Sequence, residues 1–124
     1  MKVHYPIIVE KGDANTAWGI TVPDLDGCFS AADNQGDILD AAREAILLHL
    51  ESLEHVPESS PIDNFTNGND LVLLVDVDLA QIEGQAKRIN ITVPQGLLLQ
   101  IDIAAKAKNK SRSAFLTEAA MRLI

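Results

Sequence analysis

Residues 87 to 94, Lys-Arg-Ile-Asn-Ile-Thr-Val-Pro, alternate strictly between apolar and polar, and the segment after them reads as helix rather than as a second strand. Ile89, Ile91 and Val93 face one way and Arg88, Asn90 and Thr92 the other, until Pro94 ends the run. Gln95 to about Lys108 reads as a helix with Leu97, Leu98, Ile101, Ala104 and Ala105 as its inner stripe. Asn109 suits the left-handed turn that closes a helix. Ser111 is a good N-cap for a second helix through Arg122, burying Phe115, Leu116, Ala119 and Leu123. A lone strand has no ladder partner, and two short helices cannot close a core around it. The economical solution is a homodimer, or a higher even-numbered oligomer, in which this strand pairs antiparallel with its own copy.

In such a ribbon the isoleucine face seals the core, and Arg88, Asn90 and Thr92 are displayed twice about a two-fold axis. A two-stranded ribbon fits the DNA major groove, where Arg reads guanine and Asn reads adenine by paired hydrogen bonds. The start of the second helix, Ser111-Arg112-Ser113, has free N–H groups suited to a flanking phosphate. The alternative is a strand that docks onto another sheet of the same chain with its polar face in solvent. An Arg/Asn/Thr triplet differs from the Glu/Lys mixture of an indifferent surface and favours the reading of operator double-stranded DNA.

Charge divides the chain at the same place. Residues 87–124 hold seven basic and two acidic side chains, whereas residues 1–86 hold three basic and sixteen acidic ones. The net charge of −8 conceals both. A basic module suits a phosphate backbone; an acidic one repels nucleic acid and suits a basic protein partner.

The acidic part reads as βββαβ. Val3 to Lys11 is a strand with Val3, Tyr5, Ile7 and Val9 on one face, and Gly12 to Asn15 is a turn. Ala17 to Val22 brings Trp18, Ile20 and Val22 to a common face; Pro23 to Gly27 breaks the chain, and Cys28 to Ala32 forms a third strand. After a capping stretch, Asp33 to Gly36, a helix runs from Asp37 to about Glu54. Its apolar side is Ile38, Leu39, Ala42, Ala45, Ile46, His49, Leu50 and Leu53. Val56 to Asn69 is loop, and Leu71 to Val77 is a fourth strand. One helix then covers one face of a small sheet.

Little here points to chemistry. Asp24, Asp26 and Asp33 would suit a metal-dependent nuclease if they gathered at strand ends, but turn chemistry selects the same residues. His4, His49 and His55 are too scattered for a triad or a zinc ligand set, and Cys28 reads as a buried structural cysteine. No enzyme activity, metal or cofactor is expected. No apolar run is long enough to span a membrane, and Met1 to Pro6 lacks a secretory signal's apolar core, so a cytoplasmic protein is expected.

Residues 88–122, RINITVPQGLLLQIDIAAKAKNKSRSAFLTEAAMR, closely resemble a ribbon-helix-helix DNA-binding domain, down to the Ile101-Asp102 pair and the Ser111-Arg112-Ser113 start of the second helix. Gly96 and Lys108 depart from that pattern and soften the first helix. The N-terminal half, YPIIVEK, then WGITVPDLDGCFSAAD, then a helix rich in alanine and leucine, resembles the HicB antitoxin family. The resemblance spans nearly the whole chain. It implies an α+β protein: a partial RNase H-like module at 1–80, generally without nuclease activity, a linker at 81–86, and a ribbon-helix-helix module at 87–124. It implies that the first module binds HicA, a small basic mRNA-cleaving toxin, and that the second represses the operon encoding the pair. Base-reading positions map to Arg88, Asn90 and Thr92, and the phosphate clamp to Ser111, Arg112 and Ser113. For the toxin, Asp24 and Asp26 are candidate contacts. The rival readings are a plain repressor with a ligand-binding or oligomerising N-terminal module, and the nuclease.

Overall fold

The computed structural model describes residues 1–82, 84 and 86–124, which divide into two compact units, Met1–Gly84 and Gln85–Ile124. The first holds a four-stranded antiparallel sheet: β1 (Lys2–Glu10), β2 (Trp18–Thr21), β3 (Phe29–Ala32) and β4 (Leu71–Asp78), in the order β3-β2-β1-β4. The helix α1 (Ile38–Glu51) sits between β3 and β4 in sequence and packs on both. The expected βββαβ order is the observed one.

Register explains how β1 tolerates a proline. It pairs with β4 along Lys2 to Val9 but with β2 only from Ile8 to Glu10. Pro6 lies beyond the β2 ladder, so its missing N–H interrupts no bond to that strand. Between β1 and β2, a Cβ on Gly12 would stand 2.5 Å from the Thr16 carbonyl oxygen, so only glycine fits. The β2–β3 connection is a folded turn rather than a simple break. Leu25 N–H donates to Val22, Cys28 N–H to Leu25, and Val22 N–H to Cys28, with Gly27 at φ +76°. That wrapping turns the Leu25 side chain inward, where it is buried beside Cys28.

The core lies where α1 meets the sheet. Tyr5, Ile7, Val9, Ile20, Val22, Val75 and Val77 come from the sheet side, and Ile38, Ala42, Ile46 and Leu50, spaced by four, from the helix. Full burial of each large side chain contributes about 1.5–3 kcal/mol. The buried helix stripe is narrower than its sequence suggests: Leu39 is exposed, and Ala45, His49 and Leu53 are half-buried at its flank. Entry to α1 also differs. A short 3-10 turn, Gln35–Asp37, leads in, and neither Asn34 nor Asp37 caps with its side chain. The helix stops at Glu51 rather than Glu54, because Ser52 and Leu53 N–H groups turn back to the carbonyls three residues earlier.

The second unit has two helices, α2 (Gln95–Ala107) and α3 (Arg112–Leu123). Pro94 precedes α2, and Lys108 closes it. Asn109 takes the expected left-handed conformation at φ 55°. Ser111 caps α3, its Oγ accepting from Ala114 N–H at 3.1 Å. Two expectations change. Residues 88–93 form no strand, because none of the other described residues pairs with them. Leu123 is 90 % exposed instead of buried, and Leu97 also faces solvent. Among the described residues of this unit only Ile101 and Ala105 are fully buried.

Candidate functional site

The six candidate DNA-contacting residues all lie on the surface of the second unit. Arg88, Asn90 and Thr92 are exposed, but so are Ile89, at 74 %, and Ile91, at 59 %. Both faces of the alternating segment are therefore open, and among the described residues nothing covers the isoleucines. Leu99 and Ile103 on α2 and Met121 and Leu123 on α3 add to this exposed apolar surface. Exposed apolar surface on this scale commonly marks an interaction site.

At the α2–α3 junction the geometry is tighter than the sequence implies. Arg112 donates Nε to Asp102 Oδ1 at 2.9 Å and Nη2 to Oδ2 at 2.8 Å, a two-pronged bond that fixes the first turn of α3 against α2. The guanidinium holds the Asp102 carboxyl below its ordinary range, and the carboxylate in turn raises Arg112. The Arg112 side chain thus has an intramolecular partner. The backbone N–H groups of Arg112 and Ser113, in the first turn, have no intrahelical acceptor and remain donors for an anion. Further along α3, Glu118 pairs with Lys110 and with Arg122, and Lys108 Nζ lies 5.8 Å from the Phe115 ring centroid.

In the first unit the two candidate carboxylates part company. Asp24 accepts from Ser60 N–H at 2.8 Å and from Ser60 Oγ at 2.5 Å, pinning the long loop before β4 to the β2–β3 turn. Asp26, two residues on, is exposed. Among the described residues no group of three or more His, Cys, Asp or Glu side chains is placed to hold a metal, so Asp24, Asp26 and Asp33 do not gather as the nuclease reading requires. Cys28 is buried, which pushes its thiol pKa up and away from reactivity. No described helix is long and apolar enough to cross a membrane. The Asp24–Ser60 and Arg112–Asp102 bonds escape a reading of periodicity, because side-chain pairs between separate segments leave no spacing in the sequence.

Comparison with known proteins places this architecture. A family model described as the HicB-like antitoxin of a bacterial toxin–antitoxin system matches residues 5–120. A 14.9 kDa protein from the rep-hol intergenic region of Haemophilus phage HP1 is 42 % identical, over 94 % of this chain and 93 % of that one. The crystal structure of the Burkholderia pseudomallei antitoxin HicB is 32 % identical and superposes with a TM-score of 0.56, covering 98 % of this chain and 96 % of that one. A chain of the HicA3 and HicB3 toxin–antitoxin complex, 25 % identical with a TM-score of 0.53, covers 61 % of this chain and 99 % of its own. A sheet-and-helix unit and a two-helix unit, matched over nearly the whole length, make the chain a member of the HicB-like antitoxin family.

Proposed function

We propose that this chain is an antitoxin that neutralises a HicA-like, mRNA-cleaving toxin by direct binding and represses its own operon as a ribbon-helix-helix protein. In this reading residues 1–80 are a partial RNase H-like toxin-binding module, 81–86 a linker, and 87–124 the dimerisation and DNA-binding module. The observation that carries the DNA half is the uncovered segment 88–93. Its isoleucines stand in solvent, the Asn109 turn and the Ser111 cap come after it, and a second copy is the simplest partner that covers them. Pairing of the two copies as a ribbon presents Arg88, Asn90 and Thr92 to base edges in the major groove. Ser111 and Ser113, with the first-turn N–H groups of α3, hold the flanking phosphate, and Arg112 keeps that turn in place through Asp102.

The toxin half rests on charge and on kinship. The first unit carries three basic against sixteen acidic residues, a field that attracts a protein built to hold RNA phosphates. Of the two candidate carboxylates Asp26 is the exposed one, while Asp24 acts by holding the loop that carries Ser60.

Titration of the full chain against the DNA upstream of its gene, at several salt concentrations, tests the repressor role. Tight selective binding lost in Arg88→Ala/Asn90→Ala is the expected result, with about 1–3 kcal/mol of discrimination per base-reading side chain. A folded wild-type protein without sequence preference would remove that role.

A further inference from the structure

The first unit has two sheet edges, and they are finished differently. At β4, Arg43 and Lys2 both reach Asp76, so a charged cluster guards the backbone. At β3, only four residues long, no ion pair holds a charged side chain across the strand among the described residues, and the charges stand at its ends. Among the described residues the strand Phe29-Ser30-Ala31-Ala32 pairs only with β2; it contains no proline or lysine and carries small side chains at Ser30 and Ala31. A natural edge strand is ordinarily blunted by charge, proline, a bulge or a covering segment, because its free N–H and C=O groups otherwise recruit another strand. Beside it, β3 and α1 enclose an open groove of about 620 Å³, lined by Cys28, Phe29, Ser30, Glu44, Leu48 and His49. Phe29 is 68 % exposed and Leu48 63 %, one on each wall.

We infer that the β3 edge and this groove receive an extended, basic segment of the toxin, which adds as a fifth strand and lays apolar side chains against Phe29 and Leu48. The inference rests on the antitoxin reading and gives it a surface. The charge around the groove selects the occupant. Glu44 is the charged lining residue, Asp26 and Asp33 bracket β3 and are exposed, and no Lys or Arg lines the groove. Main-chain pairing supplies affinity, the apolar anchors supply fit, and the carboxylates select a basic partner. A second copy docked edge to edge would bring the same carboxylates face to face, an arrangement that like charges oppose.

The test is binding of a HicA-like toxin from the same locus to the full chain, comparing wild type with Leu48→Asp, Phe29→Asp and Glu44→Lys. Leu74→Asp, at the β4 edge, is the control, and circular dichroism verifies folding of each variant. Wild-type binding weakened about thirtyfold or more by Leu48→Asp and Phe29→Asp, with Glu44→Lys slowing association and Leu74→Asp without effect, supports the inference. Undiminished binding by folded groove variants overturns it and leaves the antitoxin reading intact. Loss at Leu74→Asp alone moves the interface to the other edge and also overturns it. A fall in oligomer mass on light scattering, with toxin binding unchanged, makes a second copy the occupant and overturns it. Failure of wild type to bind the toxin overturns the antitoxin reading itself.

Discussion

Arg43, on α1, clasps Asp76, on β4, by two routes: Nη2 meets the carboxylate at 2.8 Å and Nε donates to the backbone carbonyl at 3.0 Å. The helix is thereby tied to the edge of the sheet it covers. The bond to Arg43 pulls the Asp76 carboxyl down from 3.8 to about 2. A depressed carboxyl contributes stability that is fully present above the unfolded-state value and is lost as pH falls through the folded-state one. The Arg43→Met variant should therefore unfold at a lower temperature than wild type at neutral pH. The gap should narrow as the pH falls from 3.8 through about 2 and close below that, where Asp76 becomes protonated in both proteins. A gap that stays constant across that window would separate Arg43's contribution from Asp76.

Two residues on the same helix should respond very differently to truncation. Ile46 is wholly buried against the sheet, whereas Leu48 is 63 % exposed. Ile46→Ala should destabilise by about 2–5 kcal/mol, from lost transfer energy and the cavity left behind. Leu48→Ala should stay within about 0.5 kcal/mol of wild type. Urea unfolding of the full chain reads both, and a large loss at Leu48 would mean that it packs inside the protein.

Tyr5 adds a polar test of the same core. Its hydroxyl donates to the Pro57 carbonyl at 2.6 Å while its ring is fully buried. Tyr5→Phe keeps the packing but leaves that carbonyl without its donor, and should cost about 1–3 kcal/mol. An unchanged unfolding midpoint would show that water replaces the hydroxyl.

The α2–α3 junction depends on two local devices, the left-handed Asn109 and the Ser111 cap. Ser111→Ala should cost about 0.5–2 kcal/mol by freeing the Ala114 N–H. Asn109→Gly should be tolerated, because glycine adopts positive φ readily, while Asn109→Val should destabilise through its branched Cβ. Thermal unfolding followed by circular dichroism distinguishes the three, and equal effects of Gly and Val would remove the conformational explanation.

These devices are readable in the sequence because each is local. Asn109 and Ser111 announce themselves by residue type, and the β1 and α1 faces by period. Two kinds of feature escape such a reading. Bonds between distant segments, such as Arg43 to Asp76 and Asp24 to Ser60, depend on the folded turn at Pro23–Gly27 and on strand register, which periodicity does not encode. Exposure at a flank escapes too. Leu39 fits the helical repeat yet is exposed, one position round from the Ile38, Ala42, Ile46 and Leu50 stripe that is buried. In the second unit the period of residues 88–93 is strand-like, but a period gives only the faces of a strand and not the neighbour that would bond it.

That missing neighbour yields the last prediction. If a second copy completes the second unit, its stability belongs to the dimer and must depend on concentration. The full chain should show an unfolding midpoint that rises with protein concentration, and equilibrium sedimentation should give an even-numbered oligomer. Ile91→Asp places a carboxylate on the face that the partner copy would bury, and the same change falls twice about the two-fold axis. It should dissociate the protein at micromolar concentration, remove the concentration dependence and abolish selective DNA binding, while the core around Ile46 and Tyr5 keeps its own transition. Thr92→Asp, on the opposite face of the same segment, separates the two roles: it should leave the oligomer intact and weaken DNA binding alone by adding negative charge beside phosphates. A wild type whose midpoint ignores concentration, or an Ile91→Asp protein of unchanged mass, would overturn the pairing of residues 88–93 with a second copy.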